Sequence, residues 1–282
     1  MKKNAKIICI LLTLVLLAAG CSEGSSKAPP AMITRLEDLE GKIVTTVSTP
    51  QDPAMLQALA EQETGVKFKE MLFYDTASAV VAALKSNKAD AVLAFGPILE
   101  FYPARDAELK AIKLPAMGKT SLHMALRSTD AQLRDQINAA LIFMKDNGVL
   151  AGLEREFITD LTPDKQLAGR DMPEFDGKPT LIVGLSGDAP PVDYVAADGK
   201  PAGYNVELLA LLSEMLQVNF EISVIPLESK FPALASNKID LFFLHAVNAD
   251  VEFTLKTLEN NNSATLTEAY YEFSDWGYLV LR

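Results

Sequence analysis

Beyond residue 21 the chain has no cysteine, because its two, Cys9 and Cys21, both fall within the first 21 residues. The rest can hold no disulfide, thiol nucleophile or thiolate-ligated metal. Histidine is almost as scarce, with His123 and His245 alone, so no metal site and no cofactor are expected. Positive charge is in deficit: 26 basic side chains stand against 37 acidic ones, a net of −11. So acidic a chain repels nucleic acid and anionic lipid surfaces. The apolar run Ile7 to Leu17 is eleven residues long, short of the roughly 20 a spanning helix needs. Catalytic signatures are missing too. There is no Gly-x-Ser-x-Gly, His-Glu-x-x-His or Gly-rich phosphate loop, and Gly184-Leu185-Ser186-Gly187 fails the first by one position.

What is present begins with an address. Lys2, Lys3 and Lys6 precede the short apolar run, and Ala18-Ala19-Gly20-Cys21 offers small residues before a cysteine. This pattern resembles the bacterial lipoprotein signal, which implies removal of residues 1–20 and lipidation of Cys21. Residues 21–32, rich in Ser, Gly, Lys and Pro, read as a tether. The expected location is the cell envelope, lipid-anchored to a membrane on its extracytoplasmic side.

The body contains an internal echo. Ala83 to Phe95, ALKSNKADAVLAF, returns as Ala233 to His245, ALASNKIDLFFLH, with six of thirteen positions identical. Each copy reads as a helix end, a polar stop and a buried strand. Upstream the order also repeats: Ile43 to Val47, a helix from Pro53 and a strand at Val66 to Phe68, against Leu181 to Leu185, a helix from about Val206 and a strand at Val218 to Phe220. Asp52 with Pro53 opens one helix, Gly65 closes it, and Asn205 precedes the apolar stripe of the other. In the second copy Ala197-Asp198-Gly199-Lys200 adds a tight turn. The spacing predicts two α/β lobes, each a mostly parallel sheet flanked by helices, with ligands held at the carboxyl ends of the strands.

Three segments carry a family resemblance. "APPVDYVAADGKPAGYNVELLALLSEML" (Ala189 to Leu216), "FPALASNKIDL" (Phe231 to Leu241) and "LTEAYYEFSDWGYLVLR" (Leu266 to Arg282) are similar to the first lobe and crossover of family 3 extracytoplasmic solute-binding proteins, the amino-acid type serving ABC importers. "LEDLEGKIVTTVST" (Leu36 to Thr49) and the stretch Ser121 to Ile158 resemble that family's second lobe and closing helices. The implied fold is the two-lobed, type II periplasmic-binding-protein-like one, with its lobes in reversed order. A circular permutation accounts for that order, and a remnant of two fused binding proteins is the competing account. The expected layout is 33–117 for one lobe, 118–160 for a return segment packing on the other, 161–177 for a linker and 178–282 for the second lobe.

The resemblance implies a non-enzymatic, monomeric protein that captures a small-molecule solute and passes it to an ABC permease. A degenerate binding module acting as sensor or interaction partner is the alternative, and an enzyme on the same fold a third. Strand-end position selects Ser48, Thr49 and Gln51 in one lobe and Ser186, Asp188, Asp193 and Tyr194 in the other, with Phe95 and His245 expected to face each other across the cleft. Tyr194, beside Pro190-Pro191, resembles the family's stacking aromatic. Where relatives that bind free amino acids have a Thr-x-x-Arg for the α-carboxylate, this chain has Ala249-Asp250-Val251-Glu252, and their ammonium-binding Asp falls near Phe95. A cationic, amine-bearing or largely apolar solute is therefore expected in place of an ordinary α-amino acid.

Overall fold

The computed structural model describes residues 32–49, 52–115, 118–160, 162, 168–248 and 263–282. Cys21, Gln51 and residues 249–252 lie outside these.

The repeated Ser-Asn-Lys segment has the same job in both copies. Helix α2 (Ala77–Lys85) leads into strand β3 (Ala91–Phe95), and helix α7 (Lys230–Ala235) into strand β11 (Leu241–Asn248). Asn87 and Asn237 take φ of 57° and 56°, the left-handed conformation that asparagine tolerates and that stops a helix abruptly. The following aspartate then fixes the sheet. Asp90 accepts the N–H of Ile43 through Oδ2 at 2.8 Å, and Asp240 accepts that of Ile182 at the same distance. Leu84 and Leu234 are buried immediately before each stop, each contributing about 1.5–3 kcal/mol of apolar burial.

Strand β1 (Ile43–Val47) pairs in parallel with β2 (Glu70–Tyr74) and β3. The equivalent strand β6 (Thr180–Leu185) pairs in parallel with β10 (Asn219–Val224) and β11. Strand β2 begins later than Val66 to Phe68, because Lys67 and Lys69 are still bonded to residues 41 and 42 at the entry to β1, while Phe68 turns edge-on to Tyr278 in the core. Helix α1 (Pro53–Thr64) lies between β1 and β2. Asp52 caps it by accepting from Met55 N at 3.0 Å, and Gly65 ends it at φ 72°.

Each sheet then receives one antiparallel strand from the other half of the sequence. After helix α3 (Gly96–Arg105) and strand β4 (Leu109–Lys113), the chain enters β5 (Thr120–Arg127), which inserts between β11 and β12 (Ala264–Leu266). Strand β13 (Tyr271–Phe273) also pairs with β5, and β14 (Trp276–Leu281) returns to lie between β3 and β4. The two crossings run side by side: Lys113 is paired with Gly277 and Thr120 with Phe273.

Helices α4 (Ala131–Asp146) and α5 (Val149–Glu154) follow β5 and pack on the second-half lobe. Ile137, Leu141 and Met144 form a fully buried stripe at helical spacing against Val206, Leu209 and Val183. Truncating Leu141 to Ala would cost about 2–5 kcal/mol. The segment from Arg170 runs back along helix α6 (Tyr204–Leu216), where Arg170 pairs with Glu207 and Glu214.

A three-stranded flap of β7 (Asp188–Ala189), β8 (Asp193–Val195) and β9 (Pro201–Ala202) fills the insertion of the second copy, turning at Gly199. Helix α6 starts two residues before Val206. Gly203 precedes its first residue at φ 107°, where a Cβ would stand 2.6 Å from the carbonyl oxygens of Pro191 and Val192. Asn205 is consequently inside the helix and not its cap, with Nδ2 donating to Asp193 at 2.8 Å.

Candidate functional site

A cavity of about 170 Å³ lies where the carboxyl ends of β1 and β3 meet the second-half lobe. Thr46 and Val47 close it from β1 and Thr49 from the loop after it, Val92 to Phe95 from β3, and Ala77, Val80 and Val81 from α2. Ile98 and Tyr102 of α3 add to this wall, while Leu122, Leu227, Leu244 and Ala246 come from the opposite lobe. Phe273 and Trp276, at the crossing, complete the lining. None of these residues is charged. Phe95 sits 5.3 Å from Phe273 and 6.2 Å from Trp276 between ring centroids. The Trp276 indole N–H donates to Thr120 Oγ1 at 3.1 Å, which ties the two crossings together. Thr49 Oγ1 is enclosed and has no hydrogen-bond partner among the described residues.

The rim is polar and joins the lobes. Asp188 Oδ2 accepts from Ser78 N at 3.0 Å and from Ser78 Oγ at 2.7 Å, at the start of α2. Burial, with the Asp188 charge adding to it, pushes the Tyr102 hydroxyl up to about 12. Tyr194 is half-buried; burial raises its hydroxyl pKa and the nearby Arg105 charge opposes the rise. Arg105 itself lies over the Phe101 ring at 4.1 Å.

The expected site residues divide into three groups. Thr49 and Phe95 line the cavity. Asp188 and Tyr194 stand at the rim, and Ser48 is beside the cavity with its backbone N–H bonded to Tyr74 O at 2.7 Å. Ser186, Asp193 and His245 are not in the cavity wall. Asp193 is completely buried, accepting from Ser186 Oγ, from Gly187 N at 2.9 Å and from Asn205 Nδ2. It holds the loop after β6 to the flap, and no room is left there for a solute.

His245 corrects the expectation that it faces Phe95. The pairing of β11 with β5 slips between Phe242 and His245, and Leu244 takes φ 69°. That bulge places Leu244 and Ala246 in the cavity wall. His245 is sent among other partners, edge-on to Phe231 at 5.5 Å and opposite His123 in the β5 pairing. Burial, and then His123, lower its pKa to about 4, and its Nε2 has no hydrogen-bond partner among the described residues.

Lys230 was not among the expected residues. Its side chain is wholly enclosed, with Nζ donating to Phe243 O at 3.1 Å, and burial drops its pKa to about 8 against the opposing pull of Asp193. The repeat marks the position: Lys230 occupies the place of Val80 in the other copy. Among the described residues no group of three or more His, Cys, Asp or Glu side chains is arranged to hold a metal, and no helix is long and apolar enough to cross a membrane.

Residues 181–254 match the sequence profile of bacterial extracellular solute-binding proteins, family 3, and residues 24–151 match the NMT1/THI5-like profile. No curated protein matches the chain. Among solved structures, the ligand-binding component of an ABC-type import system from Staphylococcus aureus, with zinc bound, is 10% identical at a TM-score of 0.43. That match covers 84% of this chain and 65% of the other. The GluR0 ligand-binding core from Nostoc punctiforme in complex with L-glutamate is 13% identical at 0.41, covering 86% and 85%. An ABC transporter periplasmic binding protein from Brucella ovis with glutathione bound is 12% identical at 0.44, covering 86% and 63%.

Proposed function

We propose that the whole chain, whose residues 181–254 match the profile of bacterial extracellular solute-binding proteins, family 3, captures a small solute between its lobes and delivers it to an ABC permease. The observation that carries this reading is the partly open cavity at the strand ends, bounded by both lobes and bordered by the two adjacent crossings. Two side-by-side connections are what a hinge requires, because they let the lobes separate without unfolding either core. The protein is read as a non-enzymatic monomer, anchored through a lipid on Cys21 to the outer side of a membrane.

A circular permutation explains the chain order. In its favour, β5, α4 and α5 complete the second-half lobe, while β14 completes the first-half one. Every part is present once. A remnant of two fused proteins would leave lobes that need strands from a second chain.

A thermal-shift screen of the mature chain against amino acids, polyamines, short peptides and aromatic acids tests the capture reading. A ligand at a hundred times its Kd adds about 2.7 kcal/mol to the folded state, so a solute that is captured must raise Tm. Failure of every class to do so would contradict it. Mass spectrometry tests the anchor separately: a diacylglyceryl mass on Cys21 is expected, and an unmodified Cys21 would overturn it.

A further inference from the structure

Resting on the capture reading, we propose that the solute is a small, largely apolar molecule of roughly ten non-hydrogen atoms or fewer, with one hydrogen-bonding group met by Thr49. The cavity, open to solvent on one part of its surface, is about 170 Å³, comparable in size to an apolar cavity that takes up benzene. Its described walls offer no charge. An ammonium or carboxylate brought into such a space without a partner loses its hydration for nothing and would be expelled or neutralised. A zwitterion brings both.

Three further features agree. The aromatic trio Phe95, Phe273 and Trp276 presents ring faces and edges on one side of the space, with centroids 5.3 to 6.2 Å apart, a surface suited to flat apolar bodies. Thr49 lines the cavity, and its Oγ1, closed off and without a hydrogen-bond partner among the described residues, would gain one by rotating toward a solute, a pairing that buried polar groups rarely go without. Leu244 is held at φ 69°, a conformation costly for a bulky residue, and in that conformation it contributes an apolar wall where the repeat would otherwise put His245.

Trp276 is the chain's single tryptophan, so its emission reports directly on the cavity. Toluene and p-cresol are to be titrated into the full mature chain, alongside glutamine, glutamate and arginine. The expected result is a saturable emission change with both apolar probes, none with the amino acids, and tighter binding of p-cresol. Thr49→Val should keep toluene binding and weaken p-cresol about tenfold, the size of one net hydrogen bond; equal p-cresol affinity would remove Thr49 from the proposal. Saturable binding of an amino acid with no response to the apolar probes would overturn the ligand class and leave solute capture standing. Silence from all five in both emission and Tm would overturn the ligand class, while the capture reading is decided by the wider thermal-shift screen.

Discussion

The Asp188 carboxylate reaches from the flap of one lobe to the first turn of α2 in the other, where it accepts two hydrogen bonds from Ser78 at 3.0 and 2.7 Å. A carboxylate at a helix N-terminus is favoured by about 0.3–1 kcal/mol where exposed. The contact therefore holds the lobes together only lightly. Asp188→Ala should shift the population toward an open form, seen as a larger radius of gyration by small-angle scattering. Ser78→Ala, which keeps the backbone donor, should do so less. An unchanged scattering profile for Asp188→Ala would show that the contact does not maintain closure.

Burial of His245 should make the fold acid-sensitive. Its pKa falls from 6.5 in the unfolded chain to about 4 when folded, so between these values the unfolded state binds the proton and the folded state does not. Stability is then full above about pH 6.5 and declines as pH falls toward 4. His245→Gln should flatten that part of the Tm-against-pH curve, relative to the parent; an identical slope in both proteins would count against a buried neutral imidazole.

Lys230 acts in the opposite range. Its folded pKa of about 8 lies below the unfolded value of 10.5, so in this window the unfolded state holds the extra proton and stability rises with pH. Below pH 8 the full cost of enclosing the ammonium remains. Lys230→Met should be at least as stable as the parent at neutral pH and should lose the alkaline rise in Tm. A large loss of stability in Lys230→Met that is equal at pH 7 and pH 10 would mean that the Phe243 contact outweighs burial.

Gly277 stands where β14 enters the first-half sheet, and a Cβ there would lie 2.3 Å from the Ile112 carbonyl oxygen. The obstruction is backbone, which cannot rotate away. Gly277→Ala should cost about 1–3 kcal/mol, measured as a lower urea midpoint with unchanged slope. A neutral substitution would mean that the two crossing strands pack less tightly than the geometry shows.

The lobes were legible because their repeated residues do backbone work. Asn87, Asn237, Asp90 and Asp240 end helices and fasten strands, tasks that few residue types perform, so identity survives where packing residues have diverged. Asp188 and Thr49 were legible by strand-end position. Most of the cavity was not, because Val80, Leu122, Leu227 and Ala246 carry no chemistry that distinguishes a binding wall from a core. His245 misled for a definite reason: strict alternation from Leu241 points it with Phe95, and a one-residue bulge at Leu244 reverses the faces. Asp193 looked like a ligand group because acidic residues at strand-end turns often are; its complete burial under Ser186, Gly187 and Asn205 appears only in three dimensions.

The most direct test of solute capture between lobes is an isotope-filtered nuclear Overhauser experiment on the labelled mature chain with bound toluene. The account predicts contacts from the one ligand to the methyl groups of Val80 and Val81 and, in the same complex, to Leu244 and Ala246 of the opposite lobe. Contacts confined to one lobe, or to residues outside the cavity, would contradict it.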